Sequence, residues 1–158
     1  MRVNPLASVE YHLTREGEQF LKNLDDLNKL AVYVGFTEES GAYDDGLTVA
    51  QVAAFNEFGT STIPARPFMQ DTVNQNYDLI VDTMKQAMAM VQNGTDAKTI
   101  LNRIGVDAVG LMQAQIESGQ YAPNAPSTIR QKTKNGKVGD HPLIDTGRMW
   151  QNIHYVIR

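Results

Sequence analysis

The sequence predicts an α+β fold, in which a small, mostly antiparallel sheet packs against two long helices as a single domain spanning residues 1–158. Two observations predict it. Alternating or β-rich segments lie at residues 8–13, 30–37 and 153–158, which indicates three strands. Between the second and third strands, apolar side chains recur at helical spacing over a long central region. We therefore expect the helices to cover one face of the sheet.

Composition indicates a globular protein with a packed core. Hydrophobic residues make up 42% of the chain and charged residues 20%, so global disorder is not expected. The formal net charge of −4 argues against a dedicated nucleic-acid binder, whose domain is usually basic. The chain has no cysteine, which rules out disulfides and thiolate metal sites. No apolar run reaches the length of a membrane span, and residues 1–5 lack a signal-peptide core, so we expect no membrane contact.

The N-terminal third is predicted to alternate strand and helix. After the strand at 8–13, Thr14 is typical of a helix N-cap, and that helix is expected to run to about Asn28. The segment 30–36 is rich in valine and aromatic residues, which favours a second strand. A polar loop follows at 38–47. Its acidic residues, with no base among them, are Glu38, Glu39, Asp44 and Asp45.

Two long helices are predicted in the middle of the chain. The first spans 67–92, and its apolar stripe consists of Val73, Tyr77, Ile80, Val81, Met84, Met88 and Val91. The second spans 95–118, with Thr95 as its expected N-cap. Gly105 and Gly110 lie inside it, and each costs up to about 1 kcal/mol against alanine. Close packing against a neighbour, such as the preceding helix, is favoured over a hinge as their explanation.

The C-terminal region is predicted to be mostly loop. Residues 120–142 contain three prolines and two glycines, which leaves room for one helical turn at 127–132. Asp145 or Thr146 is expected to cap a short helix through 147–151, before the last strand. The loop is basic over residues 130–137, where its cations are Arg130, Lys132, Lys134 and Lys137.

The stretch from Thr48 to Met69 is dense in residues that fix the backbone. Thr48 is a candidate N-cap for a short helix, and Gly59 can close that helix with a left-handed conformation. Pro64 and Pro67 fix their own φ and bias the preceding residues toward extended backbone. Pro67 also suits the first turn of a following helix, because its missing N–H would have no partner there.

Arg66 lies between those two prolines, so a stiff backbone aims its guanidinium. We expect it to be buried at least in part. Its expected acceptors are Glu57 or backbone carbonyls, in the first instance the last carbonyls of the short helix.

Two stretches of the sequence resemble one known family. The first is N-E-F-G-T at 56–60, followed by I-P-A-R-P-F-M at 63–69. The second is Y-A-P-N-A-P-S-T-I at 121–129, followed by Lys132 and by P-L-I-D-T-G-R-M at 142–149. Both resemble the neck or tail-completion proteins of tailed bacteriophages and related virion-morphogenesis proteins. The family usually has leucine at the last position of the second stretch, where this chain has methionine, and the serine and threonine of that stretch are adjacent here.

The resemblance implies a non-enzymatic virion protein at the head–tail junction, assembled as a ring with the symmetry of the portal or tail tube. Its implied partners are further copies of itself and head-closure, tail-terminator or tail-tube proteins, with a passing contact to phage DNA. It implies a place in the virion and, during assembly, in the host bacterial cytoplasm, with no cofactor and no metal. The motif residues to which it gives structural roles are Glu57, Gly59, Pro64, Arg66, Pro67, Asp145 and Gly147.

The residues themselves do not indicate catalysis. His12, His141 and His154 are isolated in sequence and match no metal-binding pattern. We expect His12 and His154 to be ordinary sheet residues and His141 to be solvated in a loop. The acidic pairs do not have the spacing of a calcium loop. Asp-Thr-Gly at 145–147 matches the triplet of aspartic proteases but has no second copy, so a cap and turn is favoured.

Head-to-tail contacts in a ring require two different complementary patches on each subunit. The acidic segment 38–45 and the basic segment 130–137 are a candidate pair of opposite charge. The alternative function is nucleic-acid binding by the basic segment, through contacts to the phosphate backbone.

Apolar side chains are expected to contribute more to assembly than these charges. Met84 and Met88 are assigned to the core, whereas Met90 lies off the main stripe of its helix and is an interface candidate. The other apolar interface candidates are Phe58, Phe68 and Trp150.

Overall fold

The computed structural model of the protein describes residues 12–134 and 140–158. Within these ranges the chain forms seven α-helices and one two-stranded antiparallel sheet, which confirms the α+β class. In chain order the elements are α1 (Arg15–Lys29), β1 (Val32–Gly35), a 3₁₀ turn (Glu38–Ser40), α2 (Val49–Phe58), α3 (Phe68–Gln75), α4 (Tyr77–Gln92), α5 (Ala97–Glu117), α6 (Pro126–Lys134), α7 (Arg148–Gln151) and β2 (His154–Ile157). Most of the strand predicted at 8–13 lies outside the described residues, and His12 and Leu13 at its end are exposed and not in a strand.

The sheet pairs the second and last predicted strands. Val32 lies opposite Ile157, and Gly35 lies opposite His154. The His154 Nε2 atom is 2.9 Å from the Thr37 hydroxyl oxygen. This histidine is therefore a hydrogen-bonded sheet residue, as expected.

Helix α5 packs directly on β2 at Gly105. A Cβ at this position would lie 2.3 Å from Cδ2 of Tyr155, far inside van der Waals contact, so only glycine lets the helix approach the strand. Close packing is confirmed as the reason for Gly105, although the neighbour is a strand and not a helix. Gly110 is exposed, and beyond its own helix no atom of the described residues lies within 4 Å of its Cβ position, so packing against another element does not explain it.

The core lies between α2, α3, α5 and α7. Its buried members are Val49, Ala53, Phe68, Met112, Ile116, Met149 and Ile153. Phe68 is fully buried, and its ring meets that of Phe36 edge-on with centroids 6.2 Å apart. The assignment of Phe68 to an interface is therefore wrong, because α5 covers the first turn of α3.

Three predicted helix starts can be compared with the structure. Thr14 and Thr48 cap α1 and α2, since each hydroxyl accepts a hydrogen bond from an N–H of the first turn, at 3.2 and 3.1 Å. Helix α5 is capped by Asp96 and not by Thr95: the Asp96 carboxylate accepts from Thr99 N at 3.0 Å.

The helix predicted at 67–92 is in fact two helices, α3 and α4. They meet at Asn76, whose φ of −111° and ψ of 20° depart from helical values. The Asn76 side-chain amide donates to the carbonyl oxygen of Thr72 at 2.9 Å, and such local side-chain bonds compete with a regular helix. The apolar periodicity continues through Asn76, so the sequence pattern does not reveal the break between the two helices. None of the helices in the described ranges is long and apolar enough to span a membrane.

The apolar stripe of α4 is only half covered. Val91 is fully buried, but Met84 and Met88 are 44% and 48% exposed. Their assignment to the core is therefore wrong, because α5 packs against one side of the stripe and leaves the other side open. Met90 is half-buried and lines a small space beside Ile100 of α5, which is less exposure than an interface residue was expected to have.

Candidate functional site

The two motif stretches meet in the folded chain, and Arg66 joins them. Its side chain is only 5% exposed. Nε donates to the carbonyl oxygen of Ala122 at 2.8 Å, and Nη2 donates to that of Pro123 at 3.2 Å and to Asn124 Oδ1 at 3.4 Å. Nη1 donates to Asn56 Oδ1 at 2.9 Å. A single guanidinium therefore binds α2 and the loop before α6 together.

The acceptors of Arg66 confirm part of the expectation. It is buried and bound to backbone carbonyls, but these come from the second stretch and not from the end of α2. Burial lowers the pKa of the Arg66 guanidinium from its ordinary value, and the charge of Asp140 opposes that change. Arginine nevertheless stays charged in proteins, so the bonds to these acceptors are charge-assisted.

Glu57 was one of the expected acceptors of Arg66. In the structure it caps α3 instead. It is buried, and its two carboxylate oxygens accept hydrogen bonds from Met69 N at 2.8 Å and Gln70 N at 3.1 Å. Pro67 occupies the N-cap position of α3 and supplies no side-chain acceptor, so these N–H groups need one from elsewhere. A carboxylate at a helix N-terminus is also favoured by the helix dipole.

Gly59 closes α2 with a positive φ of 74°. A Cβ there would lie 2.9 Å from the backbone nitrogen of Ala65, so both the conformation and the space require glycine. The turn is held further by Thr60 N, which donates to the carbonyl oxygen of Ile63 at 2.8 Å. The turn leads directly into Pro64, and the side chain of Phe58 before it is exposed.

Lys132 ties α6 to the segment that precedes α7. It is 8% exposed, and its Nζ donates to the carbonyl oxygens of Ile144 at 2.8 Å and His141 at 3.1 Å. Lys132 is therefore a structural residue and not an exposed cation. Helix α6 is also longer than the single turn predicted at 127–132.

His141 is not the solvated loop residue that was expected. It is half-buried, with Nε2 lying 3.0 Å from the carbonyl oxygen of Glu117 and Nδ1 lying 2.8 Å from that of Pro142. The ring thus connects the end of α5 to the segment that Lys132 also binds.

The Asp145-Thr146-Gly147 triplet is a turn, as predicted. The cap position of α7 is occupied by Gly147, with φ 77°, and not by Asp145 or Thr146. The Thr146 hydroxyl accepts a hydrogen bond from Arg148 N at 3.3 Å. Asp145 is exposed and lines a cleft.

That cleft, of about 330 Å³, lies between α2, α6 and the start of α7. Tyr43 and Asp45 of the acidic segment line it together with Gln131 and Lys132 of α6. The acidic segment also has a cation beside it: Arg148 donates to the carbonyl oxygen of residue 42, and its guanidinium lies 5.3 Å from the centroid of the Tyr43 ring. Burial raises the pKa of the Tyr43 hydroxyl, and the Arg148 charge opposes that rise.

The acidic and basic segments thus share one cleft within one copy. Asp45 and Lys132 are the members of the two charged sets that line it in the described residues, and the role of the segments between copies stays a prediction. Glu38 and Glu39 are exposed in the 3₁₀ turn, and Asp44 is exposed beside it. Among the bases, Arg130 and Lys134 are exposed, whereas Lys137 lies outside the described residues.

A metal site and the interface candidate Trp150 are the remaining sites considered from the sequence. Among the described residues, no group of three or more His, Asp or Glu side chains could hold a metal ion. Trp150 is half-buried against the core, and its indole N–H is buried without a hydrogen-bond partner in the described ranges. Its assignment to an interface stays a prediction.

Replacing Lys132 with methionine is expected to lower the unfolding free energy by about 1–2 kcal/mol, because two carbonyl oxygens lose a charged donor while the side chain keeps its length. The Lys134→Met variant on the same helix is the control, since Lys134 is exposed. Urea unfolding of both variants measures the difference. Equal stability of the two variants would contradict the structural role of Lys132.

No family model, curated protein or solved structure matches this chain. We therefore infer its function from the contacts above and from the resemblance of the stretches at 56–69 and 121–149. Those stretches supply Arg66, Lys132 and most of their acceptors.

Proposed function

We propose that this protein is a structural component of the head–tail junction of a tailed bacteriophage, assembled as a ring through contacts between copies. The observation that supports this most is the convergence of the two motif stretches. Arg66 of the first stretch donates to Ala122 and Pro123 of the second, and Lys132 donates to Ile144 within the second. The residues that carry the resemblance therefore form one connected unit, although the two stretches are 50 or more positions apart in sequence.

The motif residues have roles that depend on residue type. Arg66 reaches four acceptors because its donors form a planar fork. Glu57 binds two adjacent N–H groups because it has two acceptor oxygens, and Gly59 adopts a positive φ. All of these roles maintain the shape of the subunit. A motif that maintains shape suits a building block of an assembly and does not require that the protein be an enzyme.

Under this proposal the protein is made in the bacterial cytoplasm and ends in the virion. Its neighbours there are head-closure, tail-terminator or tail-tube proteins. Rings of identical subunits use head-to-tail contacts, which require two different patches on each copy.

The test is an amber mutation in this reading frame of the phage that carries it. Lysates from a non-suppressing host should contain filled heads and tails that are not joined, and adding the purified protein should restore infectious particles. Electron microscopy and plaque counts give the two readouts. Normal virions without the protein, or virions from which it is absent by mass spectrometry, would reject the proposal.

The alternative, nucleic-acid binding by the basic segment, has less support in the structure. Lys132 is buried and bound to carbonyl oxygens, so it does not offer a charge to a phosphate. Arg130 and Lys134 remain exposed in the described part of that segment. A salt titration of DNA binding tests it, because each phosphate contact adds to the slope of affinity against salt. A slope that Arg130→Ala and Lys134→Ala both reduce would favour this alternative.

A further inference from the structure

Helix α2 is apolar on its outer side as well as on its inner side. Its inner side is buried through Val49 and Ala53. The outer side carries Ala54, Phe55 and Phe58, and Phe58 is 81% exposed. Gln51, one turn before Phe55, is also exposed on this side, so the apolar part of the outer side is the C-terminal half of the helix. Exposed apolar side chains grouped in this way mark a contact surface. We call Ala54, Phe55 and Phe58 the α2 ridge.

A second uncovered apolar surface is a groove between α3, α4, α5 and β1. It has a volume of about 320 Å³, and its lining includes Val34, Val73, Ile80, Met84, Ile104 and Leu111. We call it the α4 groove. Tyr77, Met84 and Met88 on the open side of the α4 stripe are exposed beside it or within it. A cavity of about 150 Å³ holds a benzene ring, so the groove has room for a phenylalanine side chain.

We propose that the α2 ridge of one copy docks in the α4 groove of the next copy. This inference rests on the proposed function, and it names the two patches that a head-to-tail ring requires. The ridge lies on α2, and the groove is formed by α3, α4, α5 and β1, so the two patches share no residue. A ring in which each copy presents its ridge to one neighbour and its groove to the other uses both patches at once.

The exposed area fits a contact between copies. If docking covers them completely, Phe55 and Phe58 of the ridge, Val73 and Met84 of the groove, and Tyr77 and Met88 beside the groove lose roughly 800 Å² of mainly apolar exposed surface, given about 150–250 Å² for a whole aromatic side chain. Specific interfaces are about 57% apolar, so this corresponds to roughly 1,400 Å² of total buried surface. Standard protein interfaces bury about 1,200–2,000 Å².

Both surfaces are also prepared for burial. Phe58 is presented on a helix end that Gly59 and the hydrogen bond from Thr60 N hold in place, so docking would order little additional chain. In the groove, the hydroxyls of Thr72 and Thr83 already donate to the carbonyl oxygens of Phe68 and Leu79, at 2.6 and 2.9 Å, so covering the groove leaves neither hydroxyl unpaired. The charged residue in the lining, Asp107, has its Oδ2 atom 4.0 Å from Arg103 Nε. Methionine at the groove allows the surface to adapt to an aromatic ring.

Single introduced cysteines test the contact directly, because the chain has none of its own. Full-length Phe58→Cys and Met84→Cys variants are mixed in equal amounts at high concentration under mild oxidation. We expect the 58–84 disulfide to form well above its random share, and the double variant to give a ladder of oligomers. The Lys22→Cys variant, which places the thiol at an exposed position on α1, is mixed with Met84→Cys as the control.

Other outcomes overturn the inference. A dominant 84–84 disulfide would show that the groove pairs with itself in a two-fold dimer. Cross-linking no stronger than with Lys22→Cys would show that these patches do not meet. In either case the head–tail role is still decided separately by the amber mutation, so the two failures are distinguishable.

A second measurement needs no disulfide. Phe58→Asp keeps the groove and loses the ridge, while Met84→Asp keeps the ridge and loses the groove. Each variant alone should stay monomeric in sedimentation, but their mixture should give a dimer that cannot extend. Phe58 is 81% exposed and Met84 is 44% exposed, so we expect both variants to fold, and circular dichroism checks this. A mixture that stays monomeric at concentrations where the parent protein associates would contradict the docking.

Discussion

Replacement of Arg66 by alanine is expected to lower the unfolding free energy by about 3–4 kcal/mol, the largest effect that we expect from a single side chain here. The guanidinium is almost fully buried and donates to Asn56, Ala122, Pro123 and Asn124. Its removal leaves these acceptors, of which Pro123 is exposed and the others half-buried, without their charged donor. For a domain of this size the loss corresponds to a melting temperature lower by roughly 10 °C.

Two variants make the Arg66 result specific. Arg103→Ala removes an exposed arginine of α5 whose Nε atom lies 4.0 Å from Asp107 Oδ2. It should change the unfolding free energy by less than about 0.5 kcal/mol. Arg66→Lys keeps the charge but loses the planar fork. Its unfolding free energy should therefore fall by most of the amount expected for Arg66→Ala. A lysine variant as stable as the parent protein would show that charge alone matters, and an unchanged melting temperature for Arg66→Ala would reject the role altogether.

Local signals in the sequence predicted most of the elements. Thr14 and Thr48 were recognised as caps, and Gly59 as the end of α2, because each of these roles depends on a residue and its immediate neighbours. The two strands of the described sheet were likewise indicated by their own side chains. Such features need no knowledge of the rest of the fold.

Long-range contacts were not predictable in the same way. Glu57 was one of the two kinds of acceptor expected for Arg66, the other being backbone carbonyls, but the fold brings Ala122 to the Arg66 guanidinium and Met69 N to the Glu57 carboxylate. Lys132 was counted among exposed cations because nothing in its neighbours indicates that two carbonyl oxygens will approach it. Sequence identifies which groups can form a hydrogen bond, whereas the partner depends on topology.

The apolar stripe of α4 illustrates another limit. Its 3.6-residue period was identified correctly, yet periodicity shows only which side of a helix is apolar and not how much of that side a neighbour covers. Because α5 covers half of the stripe, Met84 and Met88 changed from expected core to exposed groove surface. Part of the α4 groove is thus a surface that the sequence pattern assigns to the interior.

Gly105→Ala is expected to destabilise the protein by about 2–3 kcal/mol, although alanine is ordinarily the better helix former. The added Cβ would lie within 2.7 Å of three ring atoms of Tyr155, so the ring or the helix must move. Movement of the ring would also break the hydrogen bond from the Tyr155 hydroxyl to Asn102 Oδ1, which is 3.1 Å long. Urea unfolding at equilibrium measures the loss.

Gly110→Ala is the matched control on the same helix, and it should have the opposite sign. Gly110 is exposed with open space at its Cβ position, so alanine should stabilise the protein by about 0.5–1 kcal/mol through helix propensity alone. Replacing Tyr155 with leucine in the Gly105→Ala background should recover part of the lost stability, because the clash is with the tyrosine ring and neighbours in contact do not act additively. If both glycine variants gain stability, α5 does not pack against β2 as closely as the structure shows. If only Gly105→Ala loses stability and the leucine variant restores part of it, the approach of α5 to Tyr155 accounts for the glycine.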